Sequence, residues 1–163
     1  LSGMDSRSGT TELLFPRDRL AKLAQNYEVA LLDTPSGLRP LTKAALLTAD
    51  YVIAPVDPSP FAVAGVVQLV QALVSLKDRF EHEPNLLGVI LNSAEMRTNI
   101  TQQVLATVRE LLGENRFLGV LNKSVRVKET ALLRSPIHRL AVNTVLEEQI
   151  FAIADKIIKE VGL

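Results

Sequence analysis

Four short runs of continuous apolarity constrain the fold of this chain most: VALLD (29–33), YVIAPV (51–56), LLGVILN (86–92) and FLGVL (117–121). Each has strand length, is rich in Val, Ile and Leu, and is bounded by Asp, Pro or Asn. A strand with one wetted face alternates apolar and polar residues. A strand that is apolar throughout is covered on both faces, as in a parallel sheet between helical layers. Helical patterns fill the intervals, at 16–25, 40–48, 60–81 and 99–112. The spacing fits right-handed crossover units, so the expected architecture is α/β, a parallel sheet with helices on both faces.

Local signals place several helix ends. Ser59-Pro60 supplies a cap and a first-turn proline ahead of Phe61. Thr98 or Asn99 is positioned to cap a helix over 100–112, and Gly113 to end it. Thr144 and Glu147 have capping-box spacing. They precede a broad apolar face of Leu146, Ile150, Phe151, Ile153, Ala154, Ile157 and Ile158, which predicts a last helix packed back on the sheet.

At 163 residues with 47% apolar content, the chain can bury a sizeable core, and 1–163 reads as a single domain or part of one. Residues 1–14, LSGMDSRSGTTELL, lack the basic-then-apolar form of a signal peptide and read as a flexible or truncated start. There is no cysteine, which excludes disulfides, thiolate metal sites and cysteine nucleophiles and suits a reducing cytoplasm. The longest apolar stretch, 61–76, is broken by Gln68, Gln71 and Ser75 and is too short for a membrane span. The 18 basic and 18 acidic side chains balance, but residues 97–139 carry eight Lys/Arg against three Glu. That regional excess would attract phosphates or form a solvated basic face.

In open parallel sheets, ligands bind beyond the carboxyl ends of the strands. The residues there are Asp33-Thr34-Pro35-Ser36-Gly37, Asp57-Pro58-Ser59, Asn92-Ser93 and Asn122-Lys123-Ser124. Asp33 has two readings. It suits a magnesium ion, which keeps most of its waters and needs few protein ligands, or it caps the following turn. Asn92 and Asn122 carry the paired donors and acceptors that read a purine edge, and equally serve as turn residues. His82 and His138 stand apart, with no serine or acid in triad order, and are expected at the surface. No HExxH or acidic calcium loop occurs.

Taken together, these clusters resemble the ParA/MinD family of deviant P-loop ATPases, and ParA-type partition proteins most closely. YEVALLDTPSG (27–37) is similar to that family's Walker B strand, and LTKAALLTADYVIAPVDPSPFAVAGVVQLVQAL to its next strand and long helix. LLGVILNSAEMRTNITQQVLATV is similar to the segment ending in an Arg-Thr-Asn helix start, and FLGVLNKSVRVKETALLRSPI to the stretch that closes over the base. Order and spacing hold from about Tyr27 onward. The resemblance implies the carboxyl-terminal part of a P-loop NTPase of the SIMIBI, ParA-like fold. It implies Asp33 as the catalytic, magnesium-associated Walker B acid. Asn92, Asn122, Lys123 and Ser124 would lie beside the adenine, and Asp57 and Pro58 near the nucleotide and dimer face. The chain departs from many relatives in having Pro-Ser-Gly after Asp33-Thr34 and Asn122-Lys123 where a Pro-Arg pair is common.

The resemblance further implies ATP/ADP and Mg²⁺ as cofactors, a homodimer closed by ATP, non-specific DNA binding, and a ParB-like or other adaptor that stimulates hydrolysis, in a cytoplasmic, nucleoid-associated setting. Arg97, Lys123, Arg126, Lys128, Arg134 and Arg139 would supply phosphate contacts, Arg97 and Arg126 serving the dimer face as an alternative. A Gly-rich loop of the form KGGxGKT should precede the Walker B strand, yet no Gly-Lys-Thr or Gly-Lys-Ser occurs in these 163 residues. Without it, the γ-phosphoryl loses its main electrostatic stabilisation, and the isolated chain is expected to bind ATP weakly and hydrolyse it negligibly. The strand bearing that loop sits beside the Walker B strand in this fold, so its absence would leave apolar strand edges open. The expectation is therefore a segment of a nucleotide-switched segregation or cargo-positioning ATPase. The alternatives are a non-catalytic interaction module and a MinD-like division-site regulator.

Overall fold

The structure is a computed structural model that describes residues 18–140 and 144–163. The expectation for residues 1–14 lies outside the described residues. In chain order the elements are a helical segment α1 (18–24), α2 (Pro40–Leu46), β1 (Tyr51–Val56), α3 (Ala62–Phe80), β2 (Asn85–Ala94), α4 (Asn99–Leu112), a 3-10 turn (Glu114–Arg116), β3 (Phe117–Asn122), α5 (Val125–Leu133), α6 (Ile137–Leu140) and α7 (Val145–Val161). The chain divides into two compact units. One takes the described residues up to Val52 with Val67–Asn85, and the other Ile53–Val66 with Leu86–Leu163.

The second unit carries most of a three-stranded sheet of order β1-β2-β3, with β2 and β3 parallel. Successive residues along each strand face opposite sides. Ala54, Val89, Phe117 and Val120 belong to one apolar cluster, completed by Val66 of α3 and by Val104, Leu105 and Val108 of α4. Their neighbours Ile53, Ile90, Leu118 and Leu121 belong to another, completed by Ile153, Ile157 and Val161 of α7. The sheet is thus covered on both sides, which is why its strands read as continuous apolar runs. α7 packs closely on β3, where a Cβ placed on Gly119 would stand 2.7 Å from Ile153 Cγ1.

The helix ends follow local chemistry. The Thr98 hydroxyl accepts from the Thr101 amide (3.4 Å), and Gly113 ends α4 with φ 81, a conformation that costs glycine little. The Thr144 hydroxyl accepts from the Glu147 amide (3.3 Å) to open α7. The Ser59-Pro60 cap is displaced: Pro60 and Phe61 form a turn, and the helix begins at Ala62. Within the stretch likened to a base-closing segment, α5 carries only weak amphipathic patterning and α6 is a single short turn of four residues, so neither has a strong periodic signal in the sequence.

In the first unit, Pro40 opens α2, whose Thr42, Ala44, Ala45 and Leu46 are buried, as are Leu47, Val52, Leu73 and Leu76. The Thr42 hydroxyl donates to the Pro35 carbonyl (3.3 Å), and the Asn85 amide donates to the Asp50 carbonyl (2.8 Å). His82 is half-buried rather than at the surface, its Nε2 bonded to the Ala49 carbonyl at 3.0 Å. The main departure is at 29–33. VALLD forms no strand: residues 29–35 have no regular structure, with Val29 50% and Leu31 89% exposed. The reason is that a strand exists only through a ladder with a neighbour, and none of the three strands pairs with this run.

Candidate functional site

Three of the four polar clusters read from the sequence converge at the carboxyl end of the sheet in the second unit. β2 runs two residues past its expected end because it contains a bulge: Leu91 pairs with Val120 and Ala94 with Asn122, so Asn92 and Ser93 oppose Leu121 alone. Ser93 takes φ 50, unusual for a residue other than glycine. The bulge lets the Asn92 side-chain Nδ2 donate to Asp57 Oδ1 at 3.0 Å, joining the turn after β1 to the end of β2. The Asn92 amide is thereby engaged by protein.

The turn after β3 is held from several sides. The Asn122 amide donates to Gln149 Oε1 on α7 (3.0 Å), and the Lys123 amide donates to the Ala94 carbonyl (3.1 Å). Lys123 Nζ pairs with Glu95, and the Ser124 hydroxyl accepts from the Arg126 amide (3.2 Å) as the cap of α5. Within this turn Asn122 Oδ1 is buried and has no hydrogen-bond partner. A buried acceptor left unmade costs roughly 1–3 kcal/mol, so it fits a ligand that brings a donor to the turn. Gln149 and Glu95 escaped the sequence reading, because each reaches its partner across 27 or more residues with no local pattern to mark it.

Asp33 lies in the first unit, exposed, and no ion pair engages it among the described residues. No group of three or more His, Cys, Asp or Glu that could hold a metal occurs among the described residues. A lone free carboxylate still fits Mg²⁺, which retains its waters and takes one or two carboxylates.

The six basic residues read as phosphate contacts, Arg97, Lys123, Arg126, Lys128, Arg134 and Arg139, are all exposed and all in the second unit. Two are neutralised locally, Lys123 by Glu95 and Arg126 by Glu129 (3.0 Å). Among the described residues no ion pair involves the other four. No helix among the described residues is long and apolar enough to cross a membrane.

Comparison with known proteins identifies the family and the fold. Residues 4–87, just over half of the chain, match the family described as an AAA domain. The chain is 35% identical over 105 residues to the chromosome-partitioning ATPase Soj of Thermus thermophilus, covering 64% of this chain and 42% of the relative. It is 29% identical over 141 residues to the chromosome partitioning protein ParA of Caulobacter vibrioides, covering 84% and 53%. The chain thus spans about half the length of the curated relatives it matches. Among solved structures, a Cyanothece McdA–ATP complex superposes with a TM-score of 0.80 at 18% identity, covering 92% of this chain and 59% of that one. The cell division ATPase MinD of Pyrococcus furiosus gives 0.71 at 18% identity, with 89% and 57% covered. The fold is that of these proteins.

Proposed function

We propose, from the premise that this chain belongs to the ParA/MinD-related family of P-loop ATPases that the AAA-domain description covers, that it forms the Walker B and base-binding part of a partition ATPase. The family assignment rests on the matched residues 4–87. The finer reading rests on one observation, the buried and unpartnered Asn122 Oδ1 at the strand-end turn. The exocyclic amine of adenine is the donor that such an acceptor suits, whereas the carbonyl at the same position of guanine is not.

In this reading the turn Asn122-Lys123-Ser124 positions the base, while Gln149 and the Ala94 carbonyl hold the turn in place. Asn92 acts on Asp57 rather than on the base, and so fixes the start of the turn 57–61 at the nucleotide and dimer face. Asp33 is the residue that would hold magnesium. When bound, Mg²⁺ supplies charge neutralisation on the phosphates. The protein switches between ADP and ATP-dimer states, and its exposed cations contact DNA without sequence preference through phosphates. The cargo is DNA or a nucleoid-borne assembly, a ParB-like adaptor triggers hydrolysis, and the protein works on the nucleoid in the cytoplasm.

Because the 163 residues hold no Gly-Lys-Thr or Gly-Lys-Ser, this polypeptide by itself binds ATP weakly and hydrolyses it negligibly. The deciding experiment compares ATP and GTP binding and hydrolysis by this chain alone and by the chain joined to a Walker A-bearing segment of a relative. The joined protein should prefer ATP, and Asn122→Leu should erase the preference. Substantial turnover by the 163 residues alone would overturn this reading, as would an Asn122→Leu protein that still discriminates.

A further inference from the structure

The first unit carries a groove of about 310 Å³ between α2 and α3 that none of the assignments above uses. Its α3 wall is one helical stripe, Gln68, Gln71, Ser75 and Arg79, at intervals of three and four residues and roughly 16 Å long. Lys43 lines it from α2, and buried Leu76 and half-buried Phe80 give it apolar surface. No lining residue is acidic. The nearby Lys77 is engaged by Glu83, whose hydrogen bond and charge raise the lysine pKa above its ordinary value. Among the described residues no carboxylate pairs with Lys43 or Arg79. The Arg79 guanidinium carbon lies 5.7 Å from the Phe80 ring centroid, close enough for a cation–π contact.

We propose that this groove docks an acidic amphipathic peptide segment of a partner protein. Its carboxylates meet Lys43 and Arg79, its apolar side chains contact Leu76 and Phe80, and its backbone hydrogen-bonds Gln68 and Gln71. Three features favour a peptide over a small anion or a nucleic acid. The groove is open along its polar wall, since Gln68, Gln71, Ser75, Arg79 and Lys43 are all exposed, so a small molecule would stay largely wet where small-molecule pockets bury most of the ligand. Side-chain amides spaced along a helix pair with peptide groups as donor and acceptor, whereas a phosphate chain accepts only. The apolar residues between the cations match side chains that a phosphate backbone lacks. An arginine beside an aromatic ring is also the composition that dominates protein–protein interfaces.

The test uses the whole chain and a fluorescein-labelled octapeptide of alternating Glu and Leu, read by fluorescence anisotropy, with a Lys/Leu peptide as the opposite-charge control. The Glu/Leu peptide should bind. Lys43→Glu and Arg79→Glu, both at exposed positions, should each weaken it by about tenfold or more, while Lys43→Arg retains binding. Circular dichroism should match in all variants, and inorganic phosphate should not displace the peptide. Absence of binding would overturn the proposal, as would equal affinity in the charge-reversed proteins or equal binding of the Lys/Leu peptide. Displacement by duplex DNA with the same dependence on Lys43 and Arg79 would assign the cations to nucleic acid and overturn it. Concentration-dependent dimerisation abolished by Arg79→Glu would assign the groove to a second copy, and would overturn it equally. The result is independent of ATP binding, so it separates from the outcome for the Asn122 turn.

Discussion

Asn92 Nδ2 donates to Asp57 Oδ1 over 3.0 Å, and this bond closes a gap of 35 residues between the turn after β1 and the bulged end of β2. It is an exposed side-chain bond. Replacing Asn92 by Leu should cost about 0.5–1.5 kcal/mol, read as a lower urea midpoint with unchanged m-value. Asn92→Asp should cost more than Asn92→Leu at pH 7, because it sets two carboxylates against each other.

The seat of α7 on β3 depends on Gly119. A methyl there would stand 2.7 Å from Ile153 Cγ1 and 3.0 Å from Cδ1, so Gly119→Ala should destabilise by about 1–3 kcal/mol. Ile153→Ala removes both obstructing atoms. The double substitution should therefore be less destabilised than the sum of the two singles, a coupling that a double-mutant cycle in urea measures. Gly88→Ala should be worse than Gly119→Ala, since the obstacle is the Arg116 carbonyl oxygen, and backbone yields less than a side chain.

Asp33 separates function from stability. Its side chain is exposed and unpaired by any ion pair among the described residues, so Asp33→Ala should leave the urea midpoint of this chain within about 0.5 kcal/mol of the parent. In the chain joined to a Walker A-bearing segment, the same substitution should lower ATP hydrolysis by about a hundredfold or more at saturating magnesium. A change in folding stability without a change in turnover would reverse the assignment.

The four basic residues that form no ion pair among the described residues should carry more of the DNA affinity than the two that do. Lys128→Ala should weaken binding to duplex DNA of any sequence and reduce the slope of log K against log salt by about one. Arg126→Ala should do less, because Glu129 already neutralises that guanidinium. Glu129→Gln and Glu95→Gln should strengthen binding at low salt by releasing Arg126 and Lys123. A salt-independent affinity would remove the phosphate assignment.

The sequence by itself determined where strands and helices form whenever the cause is local or periodic. YVIAPV became β1 at its expected bounds, FLGVL became β3 with one residue added, and Thr98, Gly113 and Thr144 bound their helices as their chemistry requires. It also brought Asp57, Asn92 and Asn122 to one edge, because crossover topology places every strand terminus of a parallel sheet on the same side. Tertiary structure decided the rest. VALLD has the composition of a buried strand but no neighbouring ladder, and hydrogen bonds between strands cannot be supplied by the run itself. The bulge at Asn92 and Ser93, where Asn92 meets Asp57, arises from the register between β2 and β3. The anchoring of Asn122 by Gln149 arises from how α7 lies on β3. These are relations between residues 27 to 35 positions apart, set by packing and by the need to satisfy buried polar groups, and no short window of sequence contains both partners.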